Sequence, residues 1–278
     1  MPELPEVETL CRQLNTLLPG QQILAIEILD PRLGTAAGLA GRTIEAVSRQ
    51  GKYIKIGAGA TTPGCKPGRE KRRRTEAGGP LNLLLHLRMT GRLFWQRDEA
   101  PLPPYTRMIF SFSGGRLLLI DPRRFATFSP GTAEAAPAPL ANPLEEFPAR
   151  RLREIAGDRR LPVKAFLMDQ RFIAGIGNIY ACEILHKAGI DPRRPAGSLK
   201  LAEWRKVEKS AGVVLPRAVA CRGTSISDWR DLFGMSGTNQ DHLEVYGREG
   251  EPCSHCGAPI ERMKMSGRGT WFCPSCQE

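Results

Sequence analysis

Four cysteines near the carboxyl end of the chain constrain its folding more than any other feature of the sequence. They form two Cys-x2-Cys pairs, Cys253/Cys256 and Cys273/Cys276, with residues 257–272 between them. Each pair can turn two thiolates towards one ion, and four sulfurs complete the tetrahedral shell of a structural Zn²⁺ with no position left open. Disulfides are the alternative, which a reducing cytosol disfavours. The spacing therefore predicts a zinc-binding hairpin.

The surroundings of these pairs add basic side chains. His255 is a competing ligand by its chemistry, but it lies between paired cysteines and is expected to be exposed. The predicted hairpin tip, Lys264–Gly269, carries Lys264 and Arg268 among glycines. A rigid β-ribbon with a basic tip is suited to gripping a phosphate or entering a groove. The remaining cysteines are scattered, as expected of core or loop residues: Cys11, Cys65, Cys182 and Cys221.

The charge balance narrows the class of partner. The chain of 278 residues carries 40 Lys and Arg against 29 Asp and Glu, a formal net charge of +11. Such an excess favours a polyanion, and nucleic acid more than a membrane because no basic amphipathic helix stands out. A purely solubilising charge is the alternative. No stretch approaches the roughly 18 apolar residues of a transmembrane helix, and the acidic N-terminus is not a secretory signal, so we expect a cytoplasmic protein.

The first half of the chain predicts one helix followed by strands. Apolar residues recur at helical spacing from Glu6 to Leu18, and Pro19-Gly20 ends the run. Several short strands separated by turn signals indicate a β-sandwich or barrel. The predicted strands are Gln22–Leu29, Thr43–Val47, Lys52–Ile56, Leu81–Met89, Arg107–Phe112 and Arg116–Ile120, with Ser113–Gly115 joining the last two as a hairpin.

Two segments rich in glycine and proline interrupt this order. Gly57–Pro80 lacks apolar periodicity and predicts a long loop, whose KRRR run at residues 71–74 is either solvated or in contact with DNA phosphates. Ala133–Pro143 predicts a linker. Beyond it the pattern is helical, and a bend or break is expected near Pro216. The predicted helices are Arg150–Ile155, Val163–Phe172, Ile179–Ala188 and Leu201–Cys221.

Five motifs stand in order along the chain. They are MPELPEVE at the N-terminus, HLRMTG at His86–Gly91, DPRRF at Asp121–Phe125, GIGNIYA at Gly175–Ala181, and VYGREGEPC leading into the cysteine pairs. Together they resemble the formamidopyrimidine-DNA glycosylase and endonuclease VIII family of base-excision repair enzymes. RGTSISDW at Arg222–Trp229 is similar to the lesion-capping loop of the formamidopyrimidine-DNA glycosylase branch, whose usual substrates are oxidised purines.

The chain departs from the family pattern at four places. Arg88 stands where glycine is common, and Ala126 replaces the glycine that usually follows DPRRF. GTNQ at Gly237–Gln240 is an altered loop end, and Gly57–Pro80 replaces what is normally a short turn. These departures leave the chemistry of the motifs intact and bear on which lesion is preferred.

The resemblance implies an α+β architecture. It consists of an N-terminal β-sandwich with an N-terminal helix, a helical helix–two-turns–helix domain and a C-terminal zinc β-ribbon. We place the catalytic β-sandwich at residues 1–132, the linker at 133–148, the helix–two-turns–helix domain at 149–247 and the zinc finger at 248–278. The last of these is too short to hold a core without a metal. The protein is expected to act as a monomer.

The N-terminus carries the chemistry that the resemblance implies. Removal of Met1 would free the secondary amine of Pro2, and an α-amino group with a pKa of about 8 is partly unprotonated at neutral pH. Attack on C1′ of the deoxyribose displaces the damaged base, and the resulting iminium favours elimination of the 3′ and then the 5′ phosphate. Glu3 resembles the family's acid for ring opening, while Glu6 orients the terminus or shares in proton transfer. These glutamates also suit the positive end of their own helix.

Further site residues are carried over from the resemblance motif by motif. Met89, Arg123 and Phe125 are assigned to the space left by the flipped base, although composition alone would place Met89 and Phe125 in a core. Lys52 joins Pro2 and Glu3 in the catalytic group. The contacts to the DNA backbone are carried over to Lys52, His86, Asn178, Tyr246 and Arg268. A strand position for His86 and packing under the finger for Tyr246 are the alternatives.

The glycines of GIGNIYA suggest a phosphate contact. Gly175 and Gly177 would let the main chain approach a phosphate, and Ile179 would begin a helix whose amides point outward. Asn178 would add a side-chain donor between them. Such contacts position DNA without reading its sequence.

Together these features predict a bifunctional DNA glycosylase/AP lyase with one structural zinc. Its substrate would be double-stranded DNA containing oxidised purines such as 8-oxoguanine and formamidopyrimidines. We expect the protein to be cytoplasmic and to associate with the nucleoid while it acts on DNA. An endonuclease VIII-like specificity for oxidised pyrimidines is one alternative. A non-catalytic DNA-damage-binding protein of the same fold is another, against which the Met1-Pro2-Glu3 start argues, because a pure binder has no use for a free terminal proline.

Overall fold

Along the chain, one helix is followed by eight strands, then by four α-helices and a final pair of strands in the described residues. The computed structural model describes residues 1–61, 81–131 and 141–278. Contacts within it define two units. Unit 1 consists of Met1–Pro2, Glu6–Ala136 and Ile226–Ser236, and unit 2 of Glu3–Pro5, Pro137–Ser225 and Gly237–Glu278. None of the helices in the described ranges is long and apolar enough to cross a membrane.

Unit 1 is a two-sheet sandwich with a helix against it. Helix α1 spans Leu4–Asn15. The strands are β1 Ala25–Ile28, β2 Arg42–Gln50, β3 Tyr53–Thr61, β4 Leu81–His86, β5 Arg92–Gln96, β6 Thr106–Phe112, β7 Gly115–Ile120 and β8 Thr127–Gly131. They form antiparallel sheets in the orders β1-β6-β7-β5 and β2-β3-β4-β8. The predicted sandwich is thereby confirmed.

The strand period of two fixes which side chains fill the sandwich. In β7, Leu117 and Leu119 join the core between the sheets, whereas Leu118 and Ile120 point to the opposite face and form a small separate cluster. Helix α1 adds leucines at helical spacing to the main core, among them Leu10. Each fully buried leucine contributes about 1.5–3 kcal/mol of transfer free energy.

Two strands of unit 1 are not predicted by the sequence pattern. β5 is short and runs directly into charged residues, which hides its half-buried pattern. β8 contains Pro130 and Gly131, both of which normally indicate a turn. Pro130 is tolerated because β8 lies at the edge of its sheet, where a missing N–H breaks no ladder.

The predicted loop begins later than its composition indicated. Strand β3 continues to Thr61, so residues 57–61 are strand and not loop. Within them Ala58 is buried and pairs with Leu81 of β4. The small residues of this stretch fit a pleated surface although they carry little apolar signal. The rest of the predicted loop, with the KRRR run and Cys65, lies outside the described residues.

Both ends of helix α1 differ from the prediction. It begins at Leu4 and not after Pro5, because a proline in the first helical turn loses no hydrogen bond. It ends at Asn15, before Leu18. There the Asn15 amide pairs with the Val47 backbone, donating to the carbonyl oxygen and accepting from the N–H at 2.8 Å. These bonds fix the end of α1 against β2.

Unit 2 combines a helical core with a C-terminal hairpin. Trp204, Tyr180 and Phe166 are fully buried at its centre. The hairpin turns at Ser266-Gly267, where both residues have positive φ, as a type I′ turn requires. The elements are α2 Ala149–Ala156, α3 Val163–Met168, α4 Asn178–Ala188, α5 Leu201–Ala220, β9 Glu261–Met265 and β10 Arg268–Phe272.

Two predictions for these helices are corrected. Helix α3 ends at Met168, and Phe172 instead stacks on Phe166 from a turn, with ring centroids 5.5 Å apart. Of the predicted bend or break at Pro216, the break is wrong, because α5 runs continuously from Leu201 to Ala220, and the bend stays a prediction. Burial of one face of α5 in the core outweighs the roughly 3 kcal/mol that an interior proline costs.

Arg88 supplies a test of backbone strain. Its φ is 54°, a left-handed conformation that costs a side chain with a Cβ about 1–2 kcal/mol. We expect Arg88→Gly to raise the free energy of unfolding by about 1 kcal/mol, measured by urea denaturation. Arg97→Gly is the matched control, since Arg97 is exposed and not left-handed. The free energy of unfolding of the Arg97→Gly variant should fall. Equal losses in the two variants would contradict the interpretation.

Candidate active site and nucleic-acid interface

A buried carboxylate shapes the loop that follows β7. Asp121 is fully buried. Its Oδ1 accepts from the Thr90 hydroxyl at 2.5 Å and from the Arg123 N–H at 3.2 Å. Its Oδ2 accepts from the N–H groups of Phe125 at 2.6 Å and Ala126 at 2.7 Å. One side chain thus holds the DPRRF loop and, through Thr90, the end of the HLRMTG loop.

The side chains presented by these two loops lie in solvent. Met89 is 52% exposed and Phe125 is 42% exposed, so the alternative that they are core residues is wrong. The Arg123 guanidinium lies over the Phe125 ring, 4.5 Å from its centroid. Exposed apolar side chains beside a cation are what an insertion into a base stack needs.

His86 and Lys52 lie beside each other in the same unit. His86 ends β4 and faces Tyr53 of β3, with ring centroids 4.6 Å apart. Burial, together with the nearby charges of Arg88 and Lys52, lowers the pKa of His86 to about 4. The Arg88 N–H donates to Nδ1 at 2.9 Å. His86 is therefore neutral at pH 7 with its proton on Nε2, and it can donate one hydrogen bond without adding charge.

A second buried aspartate anchors residues 226–236 of unit 1. Asp231 accepts from the N–H groups of Phe233 at 3.0 Å and Met235 at 2.9 Å, and from the Gln13 amide at 2.9 Å. The Gln13 oxygen accepts from the Leu232 N–H at 3.0 Å. This loop is thus tied to helix α1. Sequence reasoning did not single out either residue.

We expect Asp121→Asn to damage the loops that carry Met89, Arg123 and Phe125. An amide nitrogen cannot accept, so two backbone N–H groups lose their partner, at a cost of about 2–3 kcal/mol in unfolding free energy. Affinity for duplex DNA should fall at least about tenfold, or 1.4 kcal/mol. Thermal unfolding and fluorescence anisotropy measure these effects. Asp98→Asn, at an exposed aspartate, is the control. Unchanged affinity would refute the role of Asp121.

The N-terminal segment meets helix α4 within unit 2. Glu3 is 3% exposed, and its carboxylate accepts from the N–H groups of Ile179 at 3.1 Å and Tyr180 at 3.4 Å. These are orphan donors of the first turn of α4, whose N-cap residue, Gly177, has no side chain to satisfy them. Glu3 thus caps α4.

The glycines of GIGNIYA make room for this contact, and the approach of the main chain to a phosphate stays a prediction. A Cβ on Gly177 would collide with the Glu3 carboxylate. Gly175 has φ of +85°, and a Cβ there would lie 2.7 Å from that of Leu4. The Leu4 N–H donates to the Gly175 carbonyl at 3.0 Å. The amides at the start of α4 point to Glu3, contrary to the prediction that they point outward.

Pro2 and Glu6 flank this carboxylate in sequence. Pro2 is half-buried, whereas Met1 is 51% exposed. Glu6 is 2% exposed. In the chain, Pro2 is thus followed directly by a buried carboxylate.

A buried lysine links α3, α4 and the C-terminal hairpin. Lys164 Nζ donates to Asn178 Oδ1 at 2.6 Å, to Thr270 Oγ1 at 2.7 Å and to the Gly269 carbonyl at 3.2 Å. The Asn178 amide donates to the same carbonyl at 3.0 Å. Burial lowers the pKa of Lys164. Arg268, which is exposed, immediately precedes Gly269, so its backbone lies next to the carbonyl that Asn178 contacts. Sequence reasoning missed Lys164, which has no motif signal beyond its place in an apolar helix.

Tyr246 belongs to the same cluster. Its ring packs against Trp271 at 4.3 Å, which supports the alternative that it lies under the finger. Burial raises the pKa of Tyr246, and a hydrogen bond with Asn178 opposes that shift. The buried Glu183 accepts from three successive N–H groups, those of Glu244 at 2.8 Å, Val245 at 3.0 Å and Tyr246 at 2.9 Å. Glu183 therefore fixes the backbone that carries Tyr246.

The four predicted ligands of the finger converge. Cys253 Sγ lies 3.9 Å from Cys276 Sγ, and Cys256 Sγ lies 3.5 Å from Cys273 Sγ. Sulfurs bound tetrahedrally at about 2.3 Å from zinc are about 3.8 Å apart, whereas a disulfide needs about 2.05 Å. The cysteines thus hold one structural zinc, and the disulfide alternative is wrong for them. Cys11 and Cys182 are buried, as predicted.

We expect Cys256→Ser to remove the zinc. After dialysis against a mild chelator, elemental analysis should find one zinc per unaltered chain and much less in the variant, because three thiolates hold the ion weakly. DNA affinity should fall with it. Cys221→Ser, which changes a cysteine outside the cluster, is the control. Less than one zinc in the unaltered chain would contradict the assignment.

The comparisons with known proteins agree with this geometry. Residues 1–128 match the formamidopyrimidine-DNA glycosylase N-terminal domain, residues 136–229 its H2TH domain, and residues 250–278 the zinc finger found in FPG and IleRS. The chain belongs to the formamidopyrimidine-DNA glycosylase family. The fold and the finger expected from the resemblance are confirmed.

Members of the family are similar over almost the whole chain. The formamidopyrimidine-DNA glycosylase of Moorella thermoacetica is 43% identical, covering 95% of both chains. That of Symbiobacterium thermophilum is 39% identical, covering 100% of this chain and 89% of its own. A Lactococcus lactis FPG mutant in complex with a Fapy-dG containing DNA has a TM-score of 0.85 at 33% identity, with both chains fully covered. The wild-type Lactococcus lactis protein with an oxidized pyrimidine containing DNA has a TM-score of 0.84.

Proposed function

We propose that this chain is a bifunctional DNA glycosylase/AP lyase of base-excision repair that removes oxidised purines from duplex DNA. One observation carries the proposal: the Glu3 carboxylate is fixed at the start of α4 by the N–H groups of Ile179 and Tyr180, directly after Pro2 in the chain. Relatives named for this activity and complexes of relatives with damaged DNA support it.

In the proposed reaction Pro2 is the nucleophile. With Met1 removed, its amine attacks C1′, the bond to the damaged base breaks and the base leaves. The Glu3 carboxylate takes the proton released from the Pro2 nitrogen and passes it to O4′ as the sugar ring opens, a proton transfer of a kind that accelerates reactions by about 10²–10⁴-fold. The iminium then accepts electrons in the eliminations of the 3′ and 5′ phosphates. Lys52 contributes a cation near the reacting sugar and its phosphate, and Glu6 assists the proton transfer or orients the terminus.

The exposed side chains of unit 1 would stabilise the extruded state of the damaged base. We propose that Phe125 wedges between base pairs, that Met89 fills the vacated space and that Arg123 hydrogen-bonds the orphaned base. Their exposure and the rigid Asp121 loop support these roles, because an insertion into the stack needs side chains held in position beforehand.

The proposed contacts to the DNA backbone come from both units. His86 donates from Nε2 as a neutral imidazole. In unit 2, Asn178, Tyr246 and Arg268 lie around the Lys164 link and the hairpin. Contacts of this kind orient a duplex without reading its sequence. We further propose the domain limits 1–132, 149–247 and 248–278, and activity in the cytoplasm on DNA of the nucleoid.

A specificity for oxidised pyrimidines is the second candidate. It is favoured by one observation, the solved complex of a relative with an oxidized pyrimidine containing DNA. Cleavage of duplexes with 8-oxoguanine opposite cytosine, compared with duplexes containing thymine glycol or dihydrouracil, decides between the two. Faster cleavage of the pyrimidine lesions would overturn the purine assignment.

Borohydride trapping tests the nucleophile. We expect the native protein to cross-link to an 8-oxoguanine·cytosine duplex on reduction, and a form with one extra N-terminal residue to lose cross-linking, because its Pro2 nitrogen is an amide. Pro2→Gly keeps a primary amine and should cross-link less well. Glu3→Gln should lose about 10²-fold in cleavage.

The controls separate folding from chemistry. Each variant should keep its zinc and its thermal unfolding temperature. An extended protein that cross-links as well as the native one would show that Pro2 is not the nucleophile. Full DNA binding with no cleavage of any lesion by the native protein would favour the non-catalytic alternative.

A further inference from the structure

A histidine beside the zinc cysteines has a second set of contacts. His186 lies near the end of α4, and its side chain is 1% exposed. Nε2 lies 3.5 Å from Cys253 Sγ, and Nδ1 lies 3.1 Å from Glu244 Oε2. Both Nδ1 and Oε2 are buried, and apart from this ion pair neither has a hydrogen-bond partner among the described residues. A buried imidazole and carboxylate at this separation can also act together as ligands of one metal ion.

A third donor stands next to this pair. The ring of His255 is perpendicular to that of His186, at 85° and 5.9 Å between centroids. Donor atoms of His186, Glu244 and His255 all lie within 4.8 Å of one another. The His255 N–H donates to Cys253 Sγ at 3.5 Å, so the first cysteine knuckle places this residue. Its side chain is exposed.

The spacing fits a metal ion. Nitrogen and oxygen ligands bind Zn²⁺ at about 2.0–2.2 Å, which puts neighbouring donor atoms roughly 3.0–3.4 Å apart. The atoms of His186 and Glu244 already have this separation. Two histidines and one glutamate form a known donor set for zinc and leave a fourth position open. A cavity of about 680 Å³ lined by His186 and His255 would supply that position with solvent.

We propose that His186, Glu244 and His255 form a second site, for a divalent transition metal such as Zn²⁺, beside the four-cysteine site. Nδ1 of His186 is the ligand. Its Nε2–H then donates to the Cys253 thiolate, the kind of outer contact that orients metal ligands. One imidazole ring thus connects the two ions.

The surrounding charges make this site weaker than the four-cysteine site. Lys187 Nζ lies 3.9 Å from Glu244 Oε1, and Lys206 and Lys209 line the same cavity. These cations oppose a divalent ion, and the ligand set carries one negative charge against four in the finger. An occupied site would tie the end of α4, the segment before the finger and the first knuckle together.

Cobalt binding tests the site. Full-length protein carrying one zinc is titrated with Co²⁺ and followed by equilibrium dialysis and absorption. We expect a second equivalent to bind with d–d absorption but without a sulfur-to-cobalt charge-transfer band, because no thiolate ligates it. Glu244→Gln and His255→Ala should each weaken this binding at least tenfold while keeping the first zinc. His242→Ala, at an exposed histidine outside the cluster, should behave as the unaltered chain.

Three outcomes would overturn the proposal. The native chain binds no second equivalent, the second equivalent binds equally well to both variants, or its spectrum shows thiolate ligation. Zinc content and lesion cleavage identify a variant that fails to fold, since both should persist in His255→Ala. That variant changes an exposed residue outside the catalytic group, so it is the variant whose folding is least affected.

Discussion

The contact between Glu3 and the first turn of α4 is the constraint on which the proposed chemistry depends. Helix N-termini have donors without partners, and a carboxylate brought from elsewhere in the chain satisfies them. Here the carboxylate comes from residue 3, and the absence of side chains at Gly175 and Gly177 makes room for it. A residue with any Cβ at position 177 would displace the acid from its place.

Buried carboxylates that accept backbone N–H groups recur throughout the molecule. Asp121 organises the loop after β7, Asp231 the segment 226–236, and Glu183 the backbone before the finger. Each replaces regular hydrogen bonding where the chain has none, so irregular segments acquire defined shapes. Burial raises the pKa of Glu183, and its three N–H donors offset part of that shift. Rigid loops hold exposed side chains at a fixed position, which insertion into DNA requires.

Much of this arrangement could be predicted from the sequence, and the remainder shows where such reasoning stops. The zinc ligands follow from spacing, and the long strands and helices follow from periodicity. β5 and β8 were missed because a short strand followed by charges, and a strand ending in Pro-Gly, carry little apolar signal. The motifs indicated Pro2, Glu3 and Arg123, but not Asp121 in its role as acceptor or Lys164. Those roles depend on which backbone groups end up near each other, and that is decided by tertiary packing.

The conformation of the Asp121 loop does not depend on which side chains the loop carries. The carboxylate binds the N–H groups of Arg123, Phe125 and Ala126, and none of their side chains takes part in those bonds. Substitutions at these three positions therefore leave the loop's hydrogen bonds in place, provided that the new residue is not proline. Alanine in place of the family's usual glycine at position 126 is one such change. The side chains that would face a lesion can therefore differ between relatives while the loop keeps its conformation. Substitutions that change specificity can then occur with little loss of stability.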